Sequence, residues 1–198
     1  MDADLLFQRE SARRQTALRI LSDLSLLELW RAYGEPYLVG AVSYNLTVAP
    51  DIDLEVFCPD TPRVEDGFAV LAACARHPAV RKARFTNRLN ETDQGYYWQL
   101  RWLNADGVEW KIDMWSMRAD HPGPLSRDLV KPMRRRLTDP TRAAILEIKE
   151  ALQTQPEPRP SSIQVYRAVM EGGIRSPEDF THWQALNPEH GLSAWKPE

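Results

Sequence analysis

The stretch Pro50-Asp51-Ile52-Asp53-Leu54-Glu55-Val56 constrains this chain more than any other. From Asp51 onward, acidic and apolar residues alternate strictly. A period of two is that of a β-strand, whose successive side chains point to opposite faces. Ile52, Leu54 and Val56 are therefore expected to enter a core, while Asp51, Asp53 and Glu55 share the other face. Like charges at such spacing repel. A fold accepts them at a solvated edge, or where a divalent cation supplies the compensating charge. The alternation by itself is compatible with both.

A second carboxylate strand bears on the choice. In Glu109-Trp110-Lys111-Ile112-Asp113-Met114-Trp115, Asp113 is an isolated acid among bulky apolar residues. Set beside the first strand, it completes a site of hard oxygen donors suited to Mg²⁺, with Mn²⁺ as the alternative ion. Such a site serves phosphoryl or nucleotidyl transfer, in which Asp51 and Asp53 would bridge the ions. Asp113 would either ligate the ion on the hydroxyl side or act as general base. Lys111 shares the Asp113 face, where it would contact a phosphate or pair with Glu109 or Glu55. Upstream, Gly40-Ala41-Val42-Ser43-Tyr44-Asn45 follows a short apolar run. Gly40 has no Cβ to block close approach, and backbone N–H groups there suit an anion-binding turn. The Ser43 hydroxyl or the Asn45 amide would add hydrogen bonds.

Taken together, Leu38-Val39-Gly40-Ala41, Asp51-Ile52-Asp53-Leu54 and Lys111-Ile112-Asp113-Met114 resemble the nucleotidyltransferase superfold. That family spans minimal and antibiotic nucleotidyltransferases and the polymerase β palm. Its pattern is a hydrophobic strand, Gly-Ser or Gly-Gly, about ten residues, an Asp-hydrophobic-Asp pair, and a third acid on a later strand. The resemblance covers residues 37–115. It implies Mg²⁺, a nucleoside triphosphate, and transfer of a nucleoside monophosphate to a hydroxyl of an unidentified, small acceptor. Asp51, Asp53 and Asp113 would be the catalytic and metal-binding residues, and Gly40, Ala41, Ser43 and Lys111 the nucleotide-binding ones. Ala41 stands where the family has Ser or a second Gly, and Asn45 where a further Gly is common. These departures raise an alternative: an inactive nucleotidyltransferase-fold module that binds nucleotide or, antitoxin-like, a protein.

Turn signals and periodicity arrange the rest. Helical spacing runs over 5–24, 26–33 and 64–77, with Ser25 expected to cap the second helix and Gly34 to end it in a left-handed conformation. A buried strand is expected at 37–42 and a second strand at 52–58. Further strands are expected at 81–89, 96–103 and 108–117, the last two joined by Asn104-Ala105-Asp106-Gly107, where the Asp-Gly pair tolerates positive φ. Helices are expected at 141–153, 163–170 and 177–185, with 155–160 as a stiff Pro-rich linker. The fold class that follows is mixed α/β (α+β): an antiparallel or mixed sheet flanked by helices, with a C-terminal helical segment. The division expected is a core over 1–120 and helices over 121–198.

Composition restricts the partners. A chain of 198 residues at 43% hydrophobic content buries a real core. A net charge of −3 argues against nucleic acid as a partner, short of a local basic patch. With no apolar run of membrane-spanning length, the expectation is a cytoplasmic protein without membrane partners. Cys58 and Cys74 sit in apolar stretches and read as core thiols. His77, His121, His182 and His190 lack metal-ligand spacing. The cluster Lys131, Arg134, Arg135 and Arg136 reads as solvated surface before any phosphate-binding role.

Overall fold

The computed structural model describes residues 2–156, 158–188 and 194–197. Its elements are α1 (Ala3–Asp23), α2 (Leu26–Arg31), β1 (Glu35–Val39), α3 (Gly40–Tyr44), β2 (Asp51–Cys58), α4 (Val64–Cys74), β3 (Val80–Arg88), β4 (Gly95–Leu103), β5 (Glu109–Arg118), α5 (Arg127–Arg136), α6 (Asp139–Gln153), α7 (Ser162–Met170) and α8 (Pro177–Leu186). The mixed α/β class expected from the sequence is the one observed. The chain divides into two compact units, one of residues 14–43 and 50–122, the other of 1–13, 44–49 and 123–198. Among the described residues no helix is long and apolar enough to cross a membrane.

The first of these units holds the whole sheet, in the order β1-β2-β5-β4-β3. β2 pairs parallel with β5, and every other pairing is antiparallel. The alternation in β2 works as expected, with Ile52, Leu54 and Val56 fully buried. Trp98, Leu100 and Trp102 of β4 and Trp110, Ile112 and Met114 of β5 join them in one apolar layer. Ala17, Ile20 and Leu21 of α1, Trp30 of α2, and Val70, Leu71 and Cys74 of α4 cover that layer. Both cysteines are free and buried, and burial pushes their thiols up to about 11, so they behave as core residues.

In the other unit, Leu6, Tyr44, Leu46 and Val48 pack with Ile145 and Ile148 of α6, Tyr166 and Val169 of α7 and Phe180 of α8. Lys149 reaches in to donate to the Leu46 carbonyl at 2.9 Å, and Thr47 N–H donates to Glu10. Helix starts behave as expected at Ser176, whose hydroxyl accepts from Asp179 N–H at 3.1 Å with Pro177 in the first turn. Thr138 and Thr141 form a reciprocal cap on α6, and Ser161 caps α7.

Several local expectations are corrected. Ser25 does not cap α2: it sits in the left-handed region at φ 46° and makes no capping bond. Gly34 serves close packing rather than a left-handed turn, because a Cβ there would meet the Phe57 carbonyl oxygen at 2.7 Å. The expected buried strand at 37–42 is instead the edge strand β1, in which only Val39 is buried, and the chain turns helical at Gly40. The β4–β5 turn does run over Asn104-Ala105-Asp106-Gly107 as expected, with the positive φ taken by Gly107 and the Gly107 N–H donating to the Asn104 carbonyl at 3.1 Å. Helix α5 falls in the expected C-terminal helical segment but outside the three helices that periodicity marks there, because Pro132 and the arginine run mask the Leu129–Met133 spacing that buries one face. Within the linker 155–160, Glu157 lies outside the described residues, as does His190.

Gly67 shows how tightly the apolar layer closes. It faces the fully buried Trp98 indole, and a Cβ would overlap that ring. Alanine is the better helix former by about 1 kcal/mol, but overpacking against an immobile ring costs about 1–3 kcal/mol. Gly67→Ala is therefore expected to destabilise the protein by a net of up to ~2 kcal/mol, the difference of these two effects. Urea denaturation followed by tryptophan fluorescence measures it, and a stabilised variant would show the contact to be looser than described.

Candidate metal centre

Opposite the apolar layer, the same strands present a polar face. Register places Asp51 beside Lys111 and Asp53 beside Asp113 across the parallel β2–β5 pair. One carboxylate oxygen from each of Asp51, Asp53 and Asp113 lies within 4.8 Å of the others, and all three side chains are half-buried. Among the described residues this is the one group of His, Cys, Asp or Glu with such spacing. Glu55, on the same strand face, is buried and stands apart from it.

Lys111 holds the acids together. Its ammonium lies 2.8 Å from Asp113 and 3.3 Å from Asp51, so its ion-pair partners are these acids and not Glu109 or Glu55. Glu109 pairs instead with Arg101. Burial alone would lower the Lys111 pKa, but the hydrogen bond to Asp113 and the charges of Asp51, Asp113 and Asp53 outweigh it and raise it. A lysine pKa raised in the fold keeps its stabilising contribution at every pH below the ordinary lysine value.

Asp113 has further partners that the sequence did not disclose. Tyr97 Oη donates to Asp113 Oδ1 at 2.7 Å, and Gln99 Nε2 donates to the same oxygen at 3.0 Å. Gln99 Nε2 also reaches Tyr97 Oη at 2.6 Å, and Arg101 Nε donates to Gln99 Oε1 at 3.2 Å. Because Arg101 can only donate, it fixes which way the Gln99 amide points. Burial, then the bond to Asp113, pushes the Tyr97 hydroxyl up to about 12, so it remains a donor. Period-two spacing puts Tyr97, Gln99 and Arg101 on one face of β4. Only the pairing Gln99↔Asp113 reveals which face.

The phosphate-turn candidates lie at the start of α3. Gly40 has φ +64°, and a Cβ there would overlap the Asp53 carboxylate, so glycine is required on both counts. Ala41 follows it, half-buried. Ser43 is buried, and its hydroxyl donates to the Gly40 carbonyl at 2.8 Å. Asn45 takes the left-handed conformation at φ 59°, which asparagine tolerates better than most residues with a Cβ. The remaining candidates lie elsewhere. Arg135 and Arg136 line a cavity of ≈ 740 Å³ with Thr138, Thr141, Met170 and Glu171 in the helical unit. His77 stacks on Trp102, and His121 and His182 contact backbone carbonyls.

The sequence matches no family model and no curated protein. Solved structures do resemble the fold. Cid1 poly(U) polymerase with Mg and 3′-dATP aligns at TM-score 0.60 and 13% identity, over 85% of this chain and 54% of that one. Its MgGTP-bound form gives 0.61 at 12% identity over the same shares. A cytoplasmic RNA terminal U-transferase gives 0.55 at 12% identity, over 85% and 51%. The chain has a nucleotidyltransferase fold. It spans about half the length of these neighbours.

Lys111→Gln removes the one cation between the acids. A loss of about 1–2 kcal/mol is expected in a chelator, less than a fully buried pair costs because a third of the lysine is exposed. Added Mg²⁺ should restore part of it. Chemical denaturation with and without the ion measures both, and indifference of the variant to Mg²⁺ would count against a cation site.

Proposed function

We propose that this protein is a Mg²⁺-dependent nucleotidyltransferase that moves a nucleoside monophosphate from a nucleoside triphosphate to an acceptor hydroxyl. The observation that carries the reading is the convergence of Asp51, Asp53 and Asp113 on one sheet face with Gly40 against Asp53. The donor set fits the ion: three hard carboxylates with no soft ligand among them. Bound by these acids, Mg²⁺ or Mn²⁺ would offset phosphate charge and lower the pKa of the acceptor hydroxyl. The magnesium and nucleotide complexes of Cid1 poly(U) polymerase support the same assignment by likeness of fold.

The chain's own residues divide the remaining work. The acceptor oxygen forms a bond to the α-phosphorus while the bond to the pyrophosphate oxygen breaks, and the hydroxyl proton passes to Asp113 acting as general base or, where Asp113 holds the ion instead, to water. Gly40 lets the turn after β1 approach Asp53 closely enough to offer backbone N–H groups to phosphate. Tyr97 and Gln99 hold Asp113 in one orientation, as a group needs to be held when geometry decides the rate. Lys111, already between Asp51 and Asp113, is placed to turn its ammonium to an incoming phosphate oxygen. All these residues fall within 1–120.

One observation favours the second reading, a nucleotide-binding or protein-binding module without turnover. Ala41 lacks the hydroxyl of the family pattern, and the Ser43 hydroxyl is turned to the Gly40 carbonyl. Calorimetry with ATP, GTP, CTP and UTP, with and without Mg²⁺, separates the readings when run beside a turnover assay with hydroxyl acceptors. A catalytic centre predicts metal-dependent binding and pyrophosphate release, and Asp53→Asn should cut turnover by roughly a hundredfold or more. Ligand at about a hundred times its dissociation constant should add roughly 2.7 kcal/mol of stability. Binding without pyrophosphate release would favour a nucleotide-binding module, and absence of nucleotide binding would end the transferase reading and leave only the protein-binding module.

A further inference from the structure

Register carries the polar face past the acids. Asp53, Asp113, Gln99 and Arg84 stand side by side on β2, β5, β4 and β3, and the next row is Asp51, Lys111, Arg101 and Lys82. Adjacent strands lie about 4.8 Å apart, so the β3 residues stand about 10 Å from Lys111 and Asp113. Phe85 settles which way β3 faces. Its ring packs on the buried Trp98 at 4.6 Å between centroids, so its neighbour Arg84, and Lys82 two residues before, turn to the opposite side. Both are exposed, and neither side chain makes a hydrogen bond or ion pair among the described residues. Arg101, half-buried between them and the acids, engages Gln99 and Glu109.

The face therefore changes sign along its width, acidic at β2 and β5 and basic at β4 and β3. An anionic acceptor approaching three carboxylates and a triphosphate meets repulsion that a flanking basic strip offsets. The Gly40 turn lies on the far side of Asp53, beside β1, which leaves the β4–β3 side for the acceptor. We infer that Lys82, Arg84 and Arg101 form a phosphate subsite for the acceptor. It takes a molecule bearing a phosphate group about 10 Å from its reacting hydroxyl, as the strand spacing sets it. The inference rests on the nucleotidyl-transfer reading of the acids. Arginine offers phosphate a planar fork and lysine a point charge, a pairing suited to phosphomonoester or phosphodiester oxygens. A chain-wide charge of −3 does not argue against it, because the positive charge is local.

Charges on an edge strand also discourage strand-to-strand association, but either sign does that. Charge reversal separates the two roles. The probes are a fluorescein-labelled single-stranded oligoribonucleotide, followed by anisotropy, and glucose 6-phosphate against glucose, followed by calorimetry. Wild-type protein should bind the oligonucleotide, the sugar phosphate or both, and not glucose. Oligonucleotide binding alone assigns a phosphodiester, and sugar phosphate binding a phosphomonoester. K82E/R84E should weaken binding about tenfold or more and, with the oligonucleotide, lower the salt slope by about 1–2, while K82R/R84K keeps it. K82Q/R84Q replaces the reversal if the latter lowers the melting temperature. Mg²⁺-nucleotide binding, measured on the same proteins, should not change. Equal affinity in the reversed variant, or no wild-type binding of either phosphate probe, overturns the subsite while leaving nucleotide binding in place. Loss of Mg²⁺-nucleotide binding in the wild type overturns instead the reading on which the subsite rests.

Discussion

Parallel pairing between β2 and β5 is the contact on which the polar face depends. It sets Asp53 opposite Asp113 and Asp51 opposite Lys111, two strands far apart in sequence supplying one cluster. A slip of one residue in either strand would send the acids into the apolar layer and Ile52, Leu54 and Met114 into water. The core thus enforces the register, and the register assembles the carboxylates. The fully buried Ile52, Leu54, Ile112 and Met114 are as necessary to the acids as the acids' own chemistry.

Charge balance is the second requirement. Three half-buried carboxylates within a few ångströms repel one another, and the fold answers with Lys111 between Asp51 and Asp113 and with two neutral donors on Asp113. Tyr97 and Gln99 satisfy Asp113 without adding charge, so the cluster keeps a net negative field toward solvent. A site fully neutralised by lysines would have little left to attract a cation. This one is stabilised short of neutrality.

What could be read from the sequence followed local rules. The alternation at 51–56 showed which side chains share a face, and Ser176-Pro177 announced a helix start, because both depend on neighbours along the chain. Asp113 stood out as a lone acid in an apolar strand for the same reason. What could not be read depends on partners far away in the chain. The roles of Tyr97, Gln99 and Arg101 follow from the β4–β5 register, and Lys82 and Arg84 join the same face only through β3–β4 pairing. Lys111 reads from its own strand as a phosphate contact or a partner of Glu109 or Glu55, and of these the parallel register replaces the ion pair with one to Asp51 and Asp113. Gly34 and Gly40 read as turn residues, yet each is also fixed by what lies across from it, the Phe57 carbonyl and the Asp53 carboxylate.

The path of the chain between Ser43 and Pro50 has a consequence for how this protein can be divided. Residues 44–49 leave the sheet-bearing unit, bury Leu46 and Val48 among the helices, and return directly into the strand that carries Asp51. Neither unit is an uninterrupted stretch of chain. Cutting the gene before residue 123 would not free a self-sufficient sheet fragment, because it would strip the cover from two apolar side chains within five residues of Asp51. A rearrangement that treats the helices as a detachable appendage would expose the loop on which the acidic strand hangs.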